Sequence, residues 1–180
     1  MSKPDFRDYL KELDKETLIE MLSDAGKNWL AHDGLWFLEV EADTDMETAI
    51  RYDKGAWRRF TVVEAKRIMR RHNIPANGGL DALEKALKYR MYAYVNQQTI
   101  ERKGDVLRIY MNNCRVQHAR TRDGRPDFPC KPVGLVEYEF FVKTIDPNIE
   151  TRCICCPPDS HPDEYWCAWE FTMKKGQGDD

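Results

Sequence analysis

The sequence predicts an α+β fold in which N-terminal helices pack on a four-stranded antiparallel sheet with one inserted helix. Apolar residues recur at helical spacing as far as residue 95 and then alternate with polar ones, so helices and strands are segregated along the chain. At 180 residues the chain is expected to form a single domain. It comprises a helical half, 5–95, a cysteine-rich sheet half, 97–173, and a tail, 174–180, that should fray.

Two acidic N-cap residues and one glycine mark ends of the predicted helices. Asp14 is placed to cap a first helix that runs through Leu30, and Gly34 predicts a break before a short apolar helix. Asp45 is placed to cap a further segment. The predicted segments that follow Gly34 span 35–42, 46–52, 55–72 and 80–95, with a loop over 74–79.

The sheet half begins with a hairpin signal. Polar and apolar residues alternate over 99–102 and 106–111, and Gly104 lies at the turn between them. The remaining predicted elements are a short helix or turn, a helix and two strands, over 112–122, 131–145, 151–156 and 166–173.

The bulk properties exclude several classes of partner. A net charge of −3 provides no general attraction to nucleic acid or to an anionic membrane. The sequence has no apolar run of the roughly 20 residues that a membrane span needs, and its first residues do not resemble a signal peptide. We therefore expect a cytoplasmic protein without nucleic-acid or membrane partners, and a homodimer is left open.

All six cysteines lie between Cys114 and Cys167, a clustering typical of a site. Cys153 and Cys156 have the Cys-x-x-Cys spacing that lets two thiolates bind one ion, and Cys167 lies on the next predicted strand. Either Cys114 or Cys130 is expected to supply the fourth ligand. Thiolates favour zinc, an iron–sulfur cluster or copper(I), and we expect zinc. The competing interpretation is that several cysteines are buried apolar residues, Cys155 above all.

A reactive thiol is a second use of these cysteines. Cys114 has His118 and Arg120 within helical reach, and such neighbours lower the pKa of a thiol. Cys130 precedes the helix over 131–145 and is placed at its N-terminus, so Cys114, Cys130 and His118 are the candidate catalytic residues. Gln117 and Arg120 are candidates for binding a ligand carbonyl or carboxylate, although a solvated basic face is the competing interpretation.

An aromatic stripe in the first helix offers a second candidate surface. Trp29, His32, Asp33 and Trp36 share one helix face if the helix continues through Gly34. His32 and Trp36 are then candidate ligand-binding residues. If the helix breaks at Gly34, the aromatic residues belong to the core and His32 and Asp33 cap the break.

Five segments carry a family likeness. They are 32–37 (HDGLWF), 114–120 (CRVQHAR), 128–134 (FPCKPVG), 156–159 (CPPD) and 167–171 (CAWEF). They resemble a family of uncharacterised bacterial and archaeal cytosolic proteins, which is distantly similar to the L-2-amino-thiazoline-4-carboxylic acid hydrolase family. A more remote similarity is to the four-vinyl-reductase type ligand-binding domain, which implies an α+β fold.

The resemblance implies motif cysteines at Cys114, Cys130, Cys153, Cys156 and Cys167, with Cys155 as an extra one. The first expected function is a small-molecule-binding or sensing domain with a cysteine-bound metal beside its pocket. The alternative is a hydrolase of a small cyclic amide-like substrate that uses a cysteine nucleophile or a metal-bound water. A third is an iron–sulfur or thiol redox protein.

Overall fold

The computed structural model describes residues 5–174, so 175–180 of the predicted frayed tail lie outside the described residues. The helices are α1 (Phe6–Lys11), α2 (Lys15–Asp43), α3 (Met46–His72), α4 (Gly79–Leu87), a short 3-10 helix (Met91–Tyr94), α5 (Arg115–Arg122) and α6 (Lys131–Ile145). The strands are β1 (Gln97–Lys103), β2 (Val106–Asn113), β3 (Ile149–Cys155) and β4 (Cys167–Met173). The predicted α+β class is confirmed.

The four strands form one antiparallel sheet in the order β1-β2-β4-β3. The hairpin turn between β1 and β2 contains Gly104, whose φ of 56° suits a residue without a Cβ atom. Along β2, Leu107, Ile109 and Met111 are buried while their neighbours are more exposed, as the period of two requires. One face of the sheet therefore faces the helices.

The main core fills the space between this face and three helices. Leu107, Ile109 and Phe171 of the sheet pack with Leu83 of α4 and Phe141 of α6. A second cluster around Trp57 and Phe128 lies between α3 and the start of α6. α6 is the inserted helix of the sequence prediction, and its observed bounds match 131–145.

The predicted helix break at Gly34 and the predicted gap between 46–52 and 55–72 are both wrong. α2 is continuous through Gly34 and α3 through Gly55, and neither glycine adopts a positive φ. A glycine inside a helix costs about 1 kcal/mol relative to alanine, but it interrupts no backbone hydrogen bond. The predicted caps are confirmed, since Asp14 accepts the Thr17 amide at 2.9 Å and Asp45 accepts the Thr48 amide at 2.6 Å.

The predicted helix over 80–95 also ends early, at Leu87. Arg90 turns into the core, where its Nε donates to Glu64 Oε2 at 3.1 Å, and the Met91 amide donates to Glu64 Oε1 at 2.9 Å. Satisfying a buried guanidinium outweighs the modest helix propensity of this segment.

The first half of α2 buries less than its apolar spacing predicts. Leu18, Ile19 and Leu22 are 37%, 48% and 46% exposed, whereas Leu30 is buried. The second half of α2 packs near α3 and the 3-10 helix, and Gly26 allows close contact with Val95. No helix within residues 5–174 is long and apolar enough to cross a membrane.

Candidate functional site: a cavity lined by thiols and carboxyls

A cavity of about 450 Å³ lies among α2, α3, α5, α6 and one end of the sheet. Its lining is mainly apolar and aromatic, and its volume suits a small organic molecule. Two polar sets lie in this lining. We call the cysteines the thiol wall, which consists of Cys114, Cys130, Cys156 and Cys167. We call the carboxyls the acid wall, which consists of Asp33, Asp53 and Glu137.

Cys130 and Cys156 are brought together by contacts between the start of α6 and the loop after β3. The Lys131 amide donates to the Pro157 carbonyl at 2.9 Å, and Lys131 Nζ binds both oxygens of Asp159 at 2.9 and 2.8 Å. Asp159 in turn accepts the Cys156 amide at 3.3 Å. As a result Cys130 Sγ lies 3.5 Å from Cys156 Sγ.

Cys114 and Cys167 lie at the end of the sheet that faces this loop. Cys167 pairs with Met111 in the register of β2 and β4, and the Trp166 amide donates to the Met111 carbonyl at 2.9 Å. Cys114 follows β2 directly and is the N-cap residue of α5. Antiparallel pairing therefore places the two cysteines together, although 53 positions separate them in the sequence.

Cys114 and Cys156 of this wall strongly favour their protonated forms. Burial raises the pKa of Cys114 to about 12, against the opposing backbone amides of Gln117 and Val116. Hydrogen bonds with the Cys130 and Cys167 thiols, together with burial, raise the pKa of Cys156. The expectation that the cations near Cys114 lower its pKa is therefore wrong, because burial among other thiols dominates.

The structure places the predicted metal ligands unequally. Cys156 and Cys167 lie in the thiol wall with both candidates for the fourth ligand, whereas Cys153 packs beside the main core and does not line the cavity. Cys155 is buried away from the cavity, in keeping with the packing role expected for it. Among residues 5–174, no three His, Cys, Asp or Glu side chains are already placed to hold a metal ion.

Two predicted ligand-binding residues line the cavity but have their polar groups engaged by protein. Gln117 donates to the Phe128 carbonyl at 2.9 Å and accepts the Phe128 amide at 2.9 Å, which anchors the segment before Cys130. Arg120 forms bonds of 3.0 and 3.3 Å to the two oxygens of Glu41. Both residues therefore position the site through protein contacts.

The remaining predicted site residues lie outside the cavity lining. Trp36 is 64% exposed, and His32 lies beside it with a centroid separation of 6.5 Å. His118 is exposed on α5 and packs against the edge of Trp166 at 5.9 Å. Of the four residues of the predicted stripe, Asp33 lines the cavity together with Phe37, which lies outside the stripe, whereas Trp29, His32 and Trp36 do not.

Sequence reasoning missed the acid wall as a functional set. Burial, together with the charges of Asp33 and Glu137, raises the pKa of Asp53 to about 7. Burial also raises the pKa of Asp33. A usable signal was present in α3, because Asp53 precedes the buried Trp57 by four positions and so shares its face.

The third carboxyl of the acid wall has a cationic partner. Arg90 Nη1 lies 2.7 Å from Glu137 Oε1, and Arg90 Nη2 lies 3.0 Å from Glu64 Oε2, with all three side chains buried. Burial alone would lower the pKa of Arg90, but the charges of Glu64 and Glu137 raise it above its ordinary value. Arg90 therefore stays charged and neutralises Glu137.

Trp169 closes the cavity next to the thiol wall. It stacks on Tyr138 at 4.6 Å, and a Cβ atom at Gly134 would lie 2.7 Å from its ring and 3.8 Å from Cys156 Sγ. Glycine is therefore required for α6 to approach this indole. Trp169 is 1% exposed, and its indole nitrogen has no hydrogen-bond partner among the described residues.

A family model matches residues 11–173, which is most of the chain, under the description "Family of unknown function (DUF6125)". The chain belongs to this family. No curated protein and no solved structure matches the chain. The DUF6125 match supports the predicted membership of a family without an assigned activity, and it names neither of the more distant families.

The DUF6125 region contains the whole cavity. Asp33 and Asp53 near its start and Cys156 and Cys167 near its end all fall between residues 11 and 173. The thiol wall and the acid wall are therefore parts of one family unit.

Proposed function

We propose that this protein is a small-molecule-binding or sensing domain whose cavity carries a thiolate-bound metal ion, with zinc preferred. The ligands would be Cys130, Cys156 and Cys167, with Cys114 as the fourth. The observation that supports this most is the convergence of four thiols, from separate segments, on one cavity with a Cys130–Cys156 sulfur distance of 3.5 Å. In a tetrahedral site with Zn–S bonds of about 2.3 Å, sulfurs lie about 3.8 Å apart.

Metal binding would also resolve an electrostatic problem. The Cys156 thiol hydrogen-bonds with Cys130 and Cys167 and is buried, so its charged form is strongly disfavoured when no cation is bound. A divalent cation would replace the thiol protons and stabilise the charged forms. Cys153, which lies outside the cavity lining, is replaced in this ligand set by Cys130.

Elemental analysis of protein purified without oxygen tests the proposal. We expect about one zinc per chain in the wild type, loss of zinc in Cys156→Ser, and retention of zinc in Cys155→Ser and Cys153→Ser. Cys155 is the matched control because it is adjacent, buried and outside the cavity. Zinc absent from the wild type, or equal in Cys156→Ser and Cys155→Ser, would overturn the proposal, and iron with visible absorbance would favour the iron–sulfur alternative.

A second proposal, a hydrolase of a small cyclic amide-like substrate, is favoured by the acid wall. A carboxyl with a pKa of about 7 is well placed to act as a general base at neutral pH, and Asp53 has this property. Water would add to the carbon of the C–N bond while Asp53 accepts its proton. The bond would then break as that proton passes to the leaving nitrogen. We also propose, without a match that names them, a distant relation to the L-2-amino-thiazoline-4-carboxylic acid hydrolase family and to the four-vinyl-reductase type ligand-binding domain.

The number of protein ligands separates the two proposals. Three thiolates leave an open position for catalysis, whereas four indicate a closed structural or sensing site. Cys114→Ser should therefore keep its zinc in the enzyme and lose most of it in the sensor. We place the protein in the cytoplasm with a small-molecule partner and without nucleic acid or membrane, and homodimerisation stays a prediction.

A further inference from the structure

The two unpaired carboxyls of the acid wall need a compensating charge. Among residues 5–174, neither Asp33 nor Asp53 forms an ion pair or a hydrogen bond with a basic side chain, in contrast to Glu137, which is bound by Arg90. Asp33 belongs to α2 and Asp53 to α3, and the charge of Asp33 raises the energy of the charged form of Asp53. Two neighbouring carboxyls in a largely apolar cavity are unfavourable unless a cation joins them.

The cations that line the same cavity already have partners or face solvent. Lys27 lies 2.8 Å from Asp24, Arg120 lies 3.0 Å from Glu41, and Arg122 lies 2.9 Å from Asp123. Arg115 is exposed. Among residues 5–174, no lysine or arginine of the lining is therefore paired with Asp33 or Asp53, and the charge of the adjacent His32 only partly opposes the effect of burial on the pKa of Asp33.

The aromatic residues beside the acid wall suit the same kind of ligand. Trp57 and Tyr92 line the cavity and stack on each other with centroids 5.6 Å apart and an interplanar angle of 8°. Aromatic rings attract cations through the negative potential of their faces, most strongly where water is excluded. Carboxylates and aromatic rings together are the usual means of binding an organic ammonium group.

An independent observation also indicates a missing ligand. Trp169 lines the cavity, is 1% exposed, and has an indole N–H without an acceptor among the described residues. The Asn96 side-chain nitrogen, which lines the cavity too, is likewise unpaired within residues 5–174. Buried donors are almost always satisfied in proteins, so two unsatisfied donors on residues that line one cavity favour a bound molecule with acceptor atoms.

We infer that the cavity binds a small organic cation, with its protonated nitrogen on Asp33 and Asp53 beside Trp57 and Tyr92. The acceptor atoms of the ligand face Trp169 and the thiol wall. This inference rests on the proposed small-molecule binding and names the class of ligand, but it does not require the metal. Neutralising two carboxyls at once gives the cavity a strong preference for amines over neutral molecules of the same shape.

The test compares benzylammonium, benzyl alcohol and benzoate, which share a ring and differ in charge. Calorimetric titration at pH 7.5 should give the tightest binding for benzylammonium, with benzyl alcohol about tenfold weaker or more, because a hydrogen bond to a charged group contributes that much. Benzoate should not bind. Equal affinities for the amine and the alcohol, or tighter binding of benzoate, would overturn the inference, as would no binding by any of the three.

Two variants and a control locate the amine. Asp33→Asn and Asp53→Asn should each weaken benzylammonium binding about tenfold and leave benzyl alcohol unchanged. Asp43→Asn is the control, because Asp43 lies on the same helix but is exposed and outside the cavity lining. Unchanged amine affinity in both cavity variants contradicts the inference.

Failure of the metal proposal and failure of this inference give different results. Cys156→Ser should lose zinc but keep the preference for the amine over the alcohol. If the wild type contains no zinc but still prefers the amine, only the metal proposal is contradicted. If the wild type contains zinc but does not prefer the amine, only the inference of a cationic ligand is contradicted.

The affinity for the amine should also rise with pH between 6 and 8. Asp53 loses its proton in this range, since its pKa is about 7, while the amine stays protonated. The charged or titratable groups around the pair of Asp33 and Asp53 are His32 on α2, Tyr92 of the 3-10 helix, and Glu137 on α6 with Arg90 bound to it. Asp53→Asn should flatten this dependence, and an unchanged slope in that variant would contradict the role of Asp53.

Discussion

The thiol wall and the acid wall line one cavity but were built from the sequence in different ways. The four thiols fall within 54 consecutive residues, from Cys114 to Cys167, and they are joined by strand pairing and by the loop after β3. The carboxyls come from three helices, and Asp33 and Glu137 are 104 positions apart. The difference teaches that a site made of a rare residue type is visible in sequence, whereas one made of common residues becomes visible only through burial.

The two walls also differ in how their charged groups are neutralised. On the thiol wall, Cys114 and Cys156 keep their protons, and Lys131 neutralises the nearby Asp159. On the acid wall, Arg90 neutralises Glu137, and Asp33 and Asp53 are left without a cation in the described part of the chain. The predictions below test this contrast, in order of decreasing effect on stability.

The largest effect is expected from Arg90→Leu. This change leaves Glu64 and Glu137 buried without their partner, and breaking such a pair costs about 3–5 kcal/mol in the free energy of unfolding. Denaturant unfolding measures this loss. Lys88→Leu is the control two residues away, where removing the exposed pair with Glu84 should cost about 0.5 kcal/mol. Equal costs would mean that Arg90 does not neutralise the acid wall.

On the thiol wall, Gly134→Ala should destabilise the protein by about 1–3 kcal/mol, the usual cost of overpacking. The new methyl group would lie 2.7 Å from the Trp169 ring, which cannot move without disturbing Tyr138. Thermal and denaturant unfolding provide the measurement. Gly55→Ala, with open space around its Cβ position, should instead be stabilising. If Gly134→Ala is as stable as the wild type, the close contact between α6 and the Trp169 ring next to Cys156 is contradicted.

Asp53 of the acid wall and Asp159 beside the thiol wall should change the stability of the protein with pH in opposite directions. The folded state raises the pKa of Asp53 from 3.8 to about 7, so it binds a proton more tightly than the unfolded chain does. Asp53 therefore reduces stability as the pH rises through this window. Asp53→Asn should accordingly be more stabilising at pH 8 than at pH 5.

Asp159, beside the thiol wall, provides the opposite case. The hydrogen bond from Lys131 lowers the pKa of Asp159, so its contribution is present at neutral pH and is lost as the pH falls below 3.8. Asp159→Asn should destabilise at pH 7, and this difference should shrink in acid. Unfolding curves across this pH range check both variants, and slopes of the same sign would refute the contrast between the walls.

The smallest effect concerns the helix that carries Asp33. Gly34→Ala should stabilise by about 0.5–1 kcal/mol, because alanine favours the helix. A Cβ atom at Gly34 has open space around it. Gly26→Ala on the same helix should not stabilise, since its Cβ atom would lie 2.9 Å from Val95 Cγ1. Thermal unfolding of both variants tests whether α2 is continuous beside the cavity.

Sequence reasoning predicted most of the fold because local signals agreed with the tertiary structure. The alternation in β2, the turn at Gly104 and the bounds of α6 were all predictable from spacing and turn chemistry. The break at Gly34 and the gap before the segment 55–72 were wrong because a glycine ends a helix only where the chain also takes a left-handed or extended conformation. Arg90 ended α4 early through a partner, Glu64, that lies 26 positions before it.

Only part of the site followed from the sequence, for a related reason. Cys114, Cys130, Cys156 and Cys167 were candidates from their clustering, but Arg120 was assigned to a ligand and pairs with Glu41 instead. That partner lies 79 positions away and carries no local signal. Of the predicted stripe, Asp33 lines the cavity, whereas His32 and Trp36 lie outside its lining.

The sequence by itself determined the period of each segment, the caps of the long helices and the confinement of the thiols to one half of the chain. These depend on neighbours within a few positions, where backbone geometry dictates which side chains meet. Only the tertiary structure decided which cysteines share a cavity and which carboxyls lack a cation. The pKa of a carboxyl such as Asp53 depends on burial and on charges from other elements, and both arise only when the helices pack.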